Sequence, residues 1–504
     1  PGVVLWMAAD AMPGQPAVYD VGFRTYRQEP EVNNYWMERA QATALASGDI
    51  TPFVATVNWS DLGRRRTTPE PLPTGYTNRW YVSSQDFGQG VVTTSAVSGS
   101  PTAVFLGRVQ PYAVYVPTHY DARKAAPLTW ILHSLGVQHN QYGSLNPKFV
   151  QQACEQRNSI CATTLGRGPG GWYYDAAELD FWEVWNRVAA AYHLDPDRTA
   201  ISGYSMGGWA TYKLGLAHPD LFAKALVLEG PAVCGMRIGP GIVGPAMAGH
   251  CTTDGDSGPL IDSARNLPYV ISQGVIDELV PVGGILLNVQ RFDSLGYQYR
   301  FELYPAADHL AYAALDAFSE QATQLNGPPR VHDPAHVTYA WYPNLDRPQY
   351  GIGSTGAYWV RDTTGRTVAP GSLARVDAVS LARPESIVPT KSYGALVPGD
   401  PFPAVVTNQT WTHMPPPAAQ PVVKLTLANV GSLGVDLVRA GIARGHAARL
   451  EVSTDGASNL ELIGLKPGTA VLLDGRPVGR AARGGTLTLT VPAGNHEVRA
   501  AASR

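Results

Sequence analysis

The sequence predicts an α/β fold over residues 105–326, with a mostly parallel sheet wound on both faces by helices. Three observations predict it. Short apolar runs alternate with segments of helical periodicity, a Gly-x-Ser-x-Gly turn joins one such run to a helix, and an acid and a histidine each follow a later run. A small α+β accessory region is expected over 1–104 and an all-β, sandwich-like domain over 327–504.

The turn is the most informative element. An apolar run from Thr199 ends at Gly203-Tyr204-Ser205-Met206-Gly207, and a helix-compatible stretch begins at Trp209. Strand, sharp turn and helix in that order are the setting of a nucleophile elbow. It would lift the Ser205 hydroxyl to the positive end of a helix, where a developing oxyanion is favoured.

A serine nucleophile needs a base, and the base needs an orienting carboxylate. The strand expected over 267–274 ends at Gly274, and Asp277 follows it. A second strand over 299–304 runs into Asp308 and His309. The expected triad is therefore Ser205, Asp277 and His309, in the chain order acid after serine and base last. Glu278 and Asp308 remain alternative orienters. Among 12 histidines, His250 precedes the acid, while His332 and His336 lie beyond the apparent end of the unit.

The strand over 127–132 runs into His133-Ser134-Leu135-Gly136, which resembles the His-Gly-x-Gly corner of esterases with Ser134 at a glycine position. Serine tolerates a positive φ less well than glycine does. Backbone N–H groups of Met206 and Leu135 are expected to form an oxyanion hole. His133 reads as a structural hydrogen-bonding residue, since no second ligand stands at metal spacing. The Gly255-Asp256-Ser257-Gly258 run resembles the nucleophile signature of chymotrypsin-like proteases, but a turn-rich loop explains it more simply.

The run from Leu194 to Tyr212, continuing through His218-Pro219-Asp220-Leu221-Phe222, resembles α/β-hydrolases of the prolyl-oligopeptidase-like group, which adjoins feruloyl-esterase and polyhydroxyalkanoate-depolymerase-type esterases. The segments Gly274 to Pro281 and Asp308-His309 match that group's acid and base segments. The resemblance spans about residues 105–325 and implies the α/β-hydrolase fold and acyl-transfer chemistry. Prolyl oligopeptidases also carry a propeller ahead of the hydrolase. About 105 residues precede it here, which disfavours the peptidase expectation.

Net charge is −3 with 16% charged residues, so neither a basic stripe for nucleic acid nor one for an anionic membrane is expected. The Pro1-Gly2 start suits a secreted chain from which a signal peptide has been removed. Four cysteines fall into neighbouring pairs, Cys154 with Cys161 and Cys234 with Cys251, and two local disulfides are expected. No metal or organic cofactor is needed by this chemistry.

Substrate contacts are sought on the rim. A glycine-rich loop over 166–171 precedes Trp172 and Tyr173, which with Trp209 are candidates for a stacking wall, while Trp172 and Tyr173 read as readily as core or loop anchors. Phe181, Trp182 and Trp185 lie at helical spacing and read as packing residues. A loop over 239–249 is a candidate lid. The aromatic segment from Tyr339 to Trp359 reads as buried sandwich core. The sequence thus points to a secreted serine hydrolase of carboxylic esters, polymeric or small, with a peptidase as second reading and a non-catalytic binding protein as a remote third.

Overall fold

The computed structural model describes residues 74–94, 102–233, 253–316, 318–398 and 402–502. The sequence pattern also predicts a helix over 34–47 and a strand over 51–57; these, the candidate lid over 239–249, and Cys234 with Cys251 lie outside the described residues.

One ten-stranded sheet organises the α/β part of the chain. Its strands are β1 (Gly75–Val82), β2 (Val109–Val116), β3 (Leu128–Leu132), β4 (Ile160–Thr164), β5 (Ala200–Tyr204), β6 (Lys224–Leu228), β7 (Tyr269–Gly274), β8 (Tyr299–Tyr304), β9 (Ile387–Val397) and β10 (Ala404–His413). They lie side by side in the order β1-β2-β4-β3-β5-β6-β7-β8-β10-β9. The run from β4 to β8 is parallel throughout. Antiparallel strands flank it at both edges, β2 and β1 on one side and β10 and β9 on the other.

The crossovers carry α1 (Ala176–Ala191), α2 (Met206–Ala217) and α3 (Val282–Leu295). Every residue of β3 is buried, because helices or loops cover both faces and a strand with two buried faces has no polar side to offer. Leu128, Trp130 and Leu132 enter one core, and Ile131 enters the other across the sheet. Phe181 and Trp185 of α1 pack on Trp130, with ring centroids 4.4 and 5.6 Å away, as their spacing predicts. This strand order and these crossovers make an α/β-hydrolase fold with a mixed sheet.

The sheet is wider and less parallel than the sequence suggests. The alternating pattern over 105–117 predicts an edge strand, yet β2 is covered by β1, which belongs to the segment assigned to the accessory region. The β9–β10 hairpin comes from the segment assigned to the C-terminal domain, yet it pairs with β8. The sequence pattern also predicts one helix over 310–325; the structure has two, Ala311–Leu315 and Ser319–Gln324, parted where Asp316 turns left-handed (φ 48°) and its carboxylate accepts the Lys148 N–H at 2.7 Å.

Beyond residue 335 a seven-stranded and a five-stranded sheet enclose a second core built on Trp359, Val423, Leu450, Leu460 and Val498. The stretch 435–440, the one place in this segment whose pattern suggests a helix, instead ends a strand, Val430–Asp436, and enters a turn. Tyr339, Trp341, Tyr342, Tyr358 and Trp359 are buried as expected, and Tyr350 meets Phe87 edge-on. The hydroxyls of Tyr339 and Tyr358 donate to Ala217 and Pro219 carbonyls, seating the β sheets against the end of α2.

Cys154 and Cys161 are joined, with 7 residues of separation, and tie the helical turn Gln151–Glu155 to β4. The Cys154→Ala/Cys161→Ala double variant is expected to lose about 2.5 kcal/mol of unfolding free energy, from loop-closure entropy restored to the unfolded chain. Chemical denaturation of oxidised wild type beside the double variant measures it, and coincident curves would refute it.

Candidate active site

Ser205 sits where the sequence places it, between the last residue of β5 and the first of α2. Its backbone is left-handed (φ 55°, ψ −118°), a costly conformation for a residue with a side chain. The surroundings enforce it. A Cβ on Gly203 would lie 2.3 Å from the Gly207 carbonyl oxygen, and one on Gly207 would lie 2.0 Å from the Leu132 carbonyl oxygen. The Ser205 N–H donates to the Leu228 carbonyl at 2.9 Å, which ties the turn to the end of β6.

The two loops that follow β7 and β8 bring the partners. His309 Nε2 lies 2.9 Å from Ser205 Oγ, and His309 Nδ1 lies 2.8 Å from Asp277 Oδ2. All three side chains are buried. Asp277 Oδ1 accepts the N–H groups of Leu279 and Val280 at 2.9 and 2.7 Å, and Oδ2 also accepts from Gln273 at 3.0 Å. Burial opposes ionisation of Asp277, but its hydrogen bond and charge interaction with His309, with help from Glu229 and the Val280 N–H, hold the carboxyl below its usual range. The other candidate acids are engaged elsewhere. Glu278 meets the backbone N–H of His309 at 3.4 Å, and Asp308 accepts the Leu310 N–H at 3.0 Å. His332 and His336 pair with Asp197 and Asp377, away from this cluster.

Met206 is the first residue of α2, so its N–H is among those with no carbonyl to meet inside the helix. Leu135 lies on the loop after β3, half-buried against the main core. The left-handed residue of that loop is Gly136 (φ 77°), so Ser134 escapes the strain expected of it. Ser134 instead fastens the corner: its N–H donates to Gln141 at 2.7 Å and its hydroxyl to the Tyr204 carbonyl at 3.1 Å, one residue before Ser205. His133 is buried, with its ring nitrogens 2.9 and 2.8 Å from the Ser134 and Leu165 carbonyls, a structural arrangement. Ser257 Oγ donates to the Ala232 carbonyl and accepts from Asn288, so it is a turn residue.

The stacking wall is a correction. Trp172, Tyr173 and Trp209 are 0%, 1% and 1% exposed and belong to the hydrolase core, so they present no face to a ligand. Arg167 is the reason the loop folds inward. Its N–H and guanidinium grip buried Asp180 at 3.0 and 2.8 Å, and its far end reaches the Leu106 and Gly107 carbonyls. Tyr173 then accepts the His133 N–H at 3.2 Å, beneath the corner loop. Beside Asp277 and His309 the exposed side chains are the aliphatic Val275, Ile276 and Leu310 and the acidic Glu278 and Asp308. Sequence reading also missed Glu229, which directly follows β6 and lies buried against Asp277 and His309. Its one signal was an acid at the end of an apolar strand on the elbow's rim.

Comparison with known proteins agrees with the family resemblance over a short stretch. A profile of the prolyl oligopeptidase family matches residues 175–234, which include the elbow. A probable dipeptidyl-aminopeptidase B of Sordaria macrospora is 31% identical over 108 residues, amounting to 19% of this chain and 12% of that relative. Among solved structures, a ferulic acid esterase from Anaeromyces mucronatus is 16% identical, with 51% of this chain and 93% of that one covered and a TM-score of 0.33. A dipeptidyl peptidase 4 from Porphyromonas gingivalis is 12% identical, with 49% and 43% covered and a TM-score of 0.35. A thermostable esterase is 17% identical, with 48% and 63% covered and a TM-score of 0.36.

Trp172→Ala is expected to destabilise the protein by about 3–5 kcal/mol, the cost of emptying a buried tryptophan site. Denaturation curves read the loss. Wild-type stability combined with a changed KM would return Trp172 to the substrate surface.

Proposed function

We propose that the protein is a serine hydrolase of the α/β-hydrolase type, with Ser205 as nucleophile, His309 as general base and acid, and Asp277 as the group that orients His309. The observation that carries this reading is the continuous chain Asp277–His309–Ser205, at 2.8 and 2.9 Å, ending on a left-handed serine at a helix N-terminus. Ser205 Oγ attacks the substrate carbonyl as His309 Nε2 takes its proton, and Asp277 stabilises the imidazolium. N–H groups of Met206 and Leu135 take the oxyanion. On collapse His309 returns the proton to the leaving group. A water then repeats the sequence, freeing the acid and restoring Ser205.

Carboxylic esters are the substrate class we favour. Exposed Val275, Ile276 and Leu310, beside acid and base and alongside the exposed Glu278 and Asp308, offer an acyl chain some apolar surface. A peptidase is the second reading, because the prolyl oligopeptidase family match over 175–234 includes the elbow and a relative matched over 108 residues is a probable dipeptidyl-aminopeptidase. The Cys154–Cys161 bridge supports an extracellular location, where such bonds persist. The β sheets beyond residue 335 are assigned a stabilising role, through their seat on α2.

Wild type beside Ser205→Ala, each on a short-chain p-nitrophenyl ester and on a proline-containing peptide amide, tests both parts. The expected result is wild-type ester turnover that falls roughly 10⁴-fold or more in the variant, with the peptide uncut. Faster, Ser205-dependent peptide cleavage would make the peptidase reading primary. Ester turnover that survives in Ser205→Ala would overturn the nucleophile.

A further inference from the structure

Glu229 is a buried acid beside Asp277 and His309 that the proposed triad does not use. It takes a left-handed backbone (φ 46°) at the end of β6, is 0% exposed, and turns under the acid loop. There both of its carboxyl oxygens lie 3.0 Å from the Gly274 N–H. Single ligand-type atoms of Glu229, Asp277 and His309 all fall within 4.8 Å of one another, which sets the two carboxyl groups side by side where they can meet through a hydrogen bond. Two carboxyl groups can share such a bond only if one carries the proton. The groups acting on them decide which. Asp277 is satisfied as an anion by two backbone N–H groups, Gln273 and the ring of His309. Glu229 meets one N–H and the negative charges of Asp277 from the loop after β7 and Asp308 from the loop after β8. Tyr204 of β5 and Tyr312 of the helix Ala311–Leu315 also pack near enough to feel its charge, and neither supplies a positive one.

We propose that Glu229 is a positioning residue, a neutral carboxylic acid whose O–H donates to Asp277 and fixes the carboxylate that orients His309. The proposal rests on the serine-hydrolase reading above. Burial first, and then the bond to and charge of Asp277, push the Glu229 carboxyl well above its usual range, in the direction that favours the protonated form. The donated bond in turn helps hold Asp277 ionised. Without it Asp277 loses one of the contacts that set its orientation, and the His309 ring loses part of its guide.

Glu229→Met and Glu229→Gln separate this from a packing role, with ester kinetics read from pH 5 to 9 and Ser205→Ala as control. Methionine fills the space without donating, and kcat is expected to fall roughly 10- to 100-fold with little change in KM. Glutamine donates an N–H in place of the O–H and is expected to recover most of that loss. The acid limb of kcat/KM in Glu229→Gln is expected to stay at its wild-type midpoint, because one neutral donor replaces another. A downward move of about one unit or more would mean that a negative charge had been removed, and would overturn the proposal. Methionine and glutamine variants of equal, near wild-type kcat would overturn it as well. If Glu229→Met fails to fold, the acid limb of Glu229→Gln decides alone. Wild-type activity that survives in Ser205→Ala would instead bring down the underlying reading, which these variants do not touch.

Discussion

The passage of the backbone at Ser205 constrains the rest of the site. Gly203 and Gly207 meet neighbouring carbonyls so closely that no side chain fits, and in that space the chain reverses from β5 into α2 through a strained serine. The strain is held because the turn is tied on both sides, to Leu228 of β6 through the Ser205 N–H and to Leu132 of β3 through Tyr142. The Tyr142 hydroxyl donates to the Leu132 carbonyl at 2.8 Å and accepts the Tyr204 N–H at 3.1 Å. Once that passage is fixed, the helix N-terminus and the serine hydroxyl share one spot on the rim.

The other members of the site are referred to the same point. Ser134 bonds the Tyr204 carbonyl, so the corner loop after β3 is registered to the residue before the serine. The Tyr204 hydroxyl donates to the His309 carbonyl, so the base loop is registered to it as well. One tyrosine thus connects both loops to the elbow, by main chain on one side and ring on the other. The proposed roles of Asp277 and Glu229 extend this arrangement one loop further, to the ends of β6 and β7.

The sequence carried the parts of this site that depend on local chemistry. Glycines around a serine at a strand-to-helix junction, and an acid and a histidine just past apolar runs, are each visible within a dozen residues. Long-range pairing was not legible: nothing in Gly75–Val82 or Ile387–Val397 says that these strands extend the hydrolase sheet. Direction was not legible either. Trp172 and Tyr173 read equally as wall or core, and the Arg167–Asp180 pair that turns their loop inward joins residues 13 apart in the chain. Glu229 was hidden because an acid after a strand is ordinary until β7 is seen to run beside β6.

The central claim is that Ser205 carries the acyl group between the two half-reactions. Rapid quenching of wild type with a slowly turned-over aryl ester, followed by intact-mass and peptide mass spectrometry, tests it directly. The account predicts one acyl adduct per chain on the peptide containing Ser205, formed before steady state and lost on further incubation. Product release with no adduct, or an adduct on another residue such as Ser257, would contradict it.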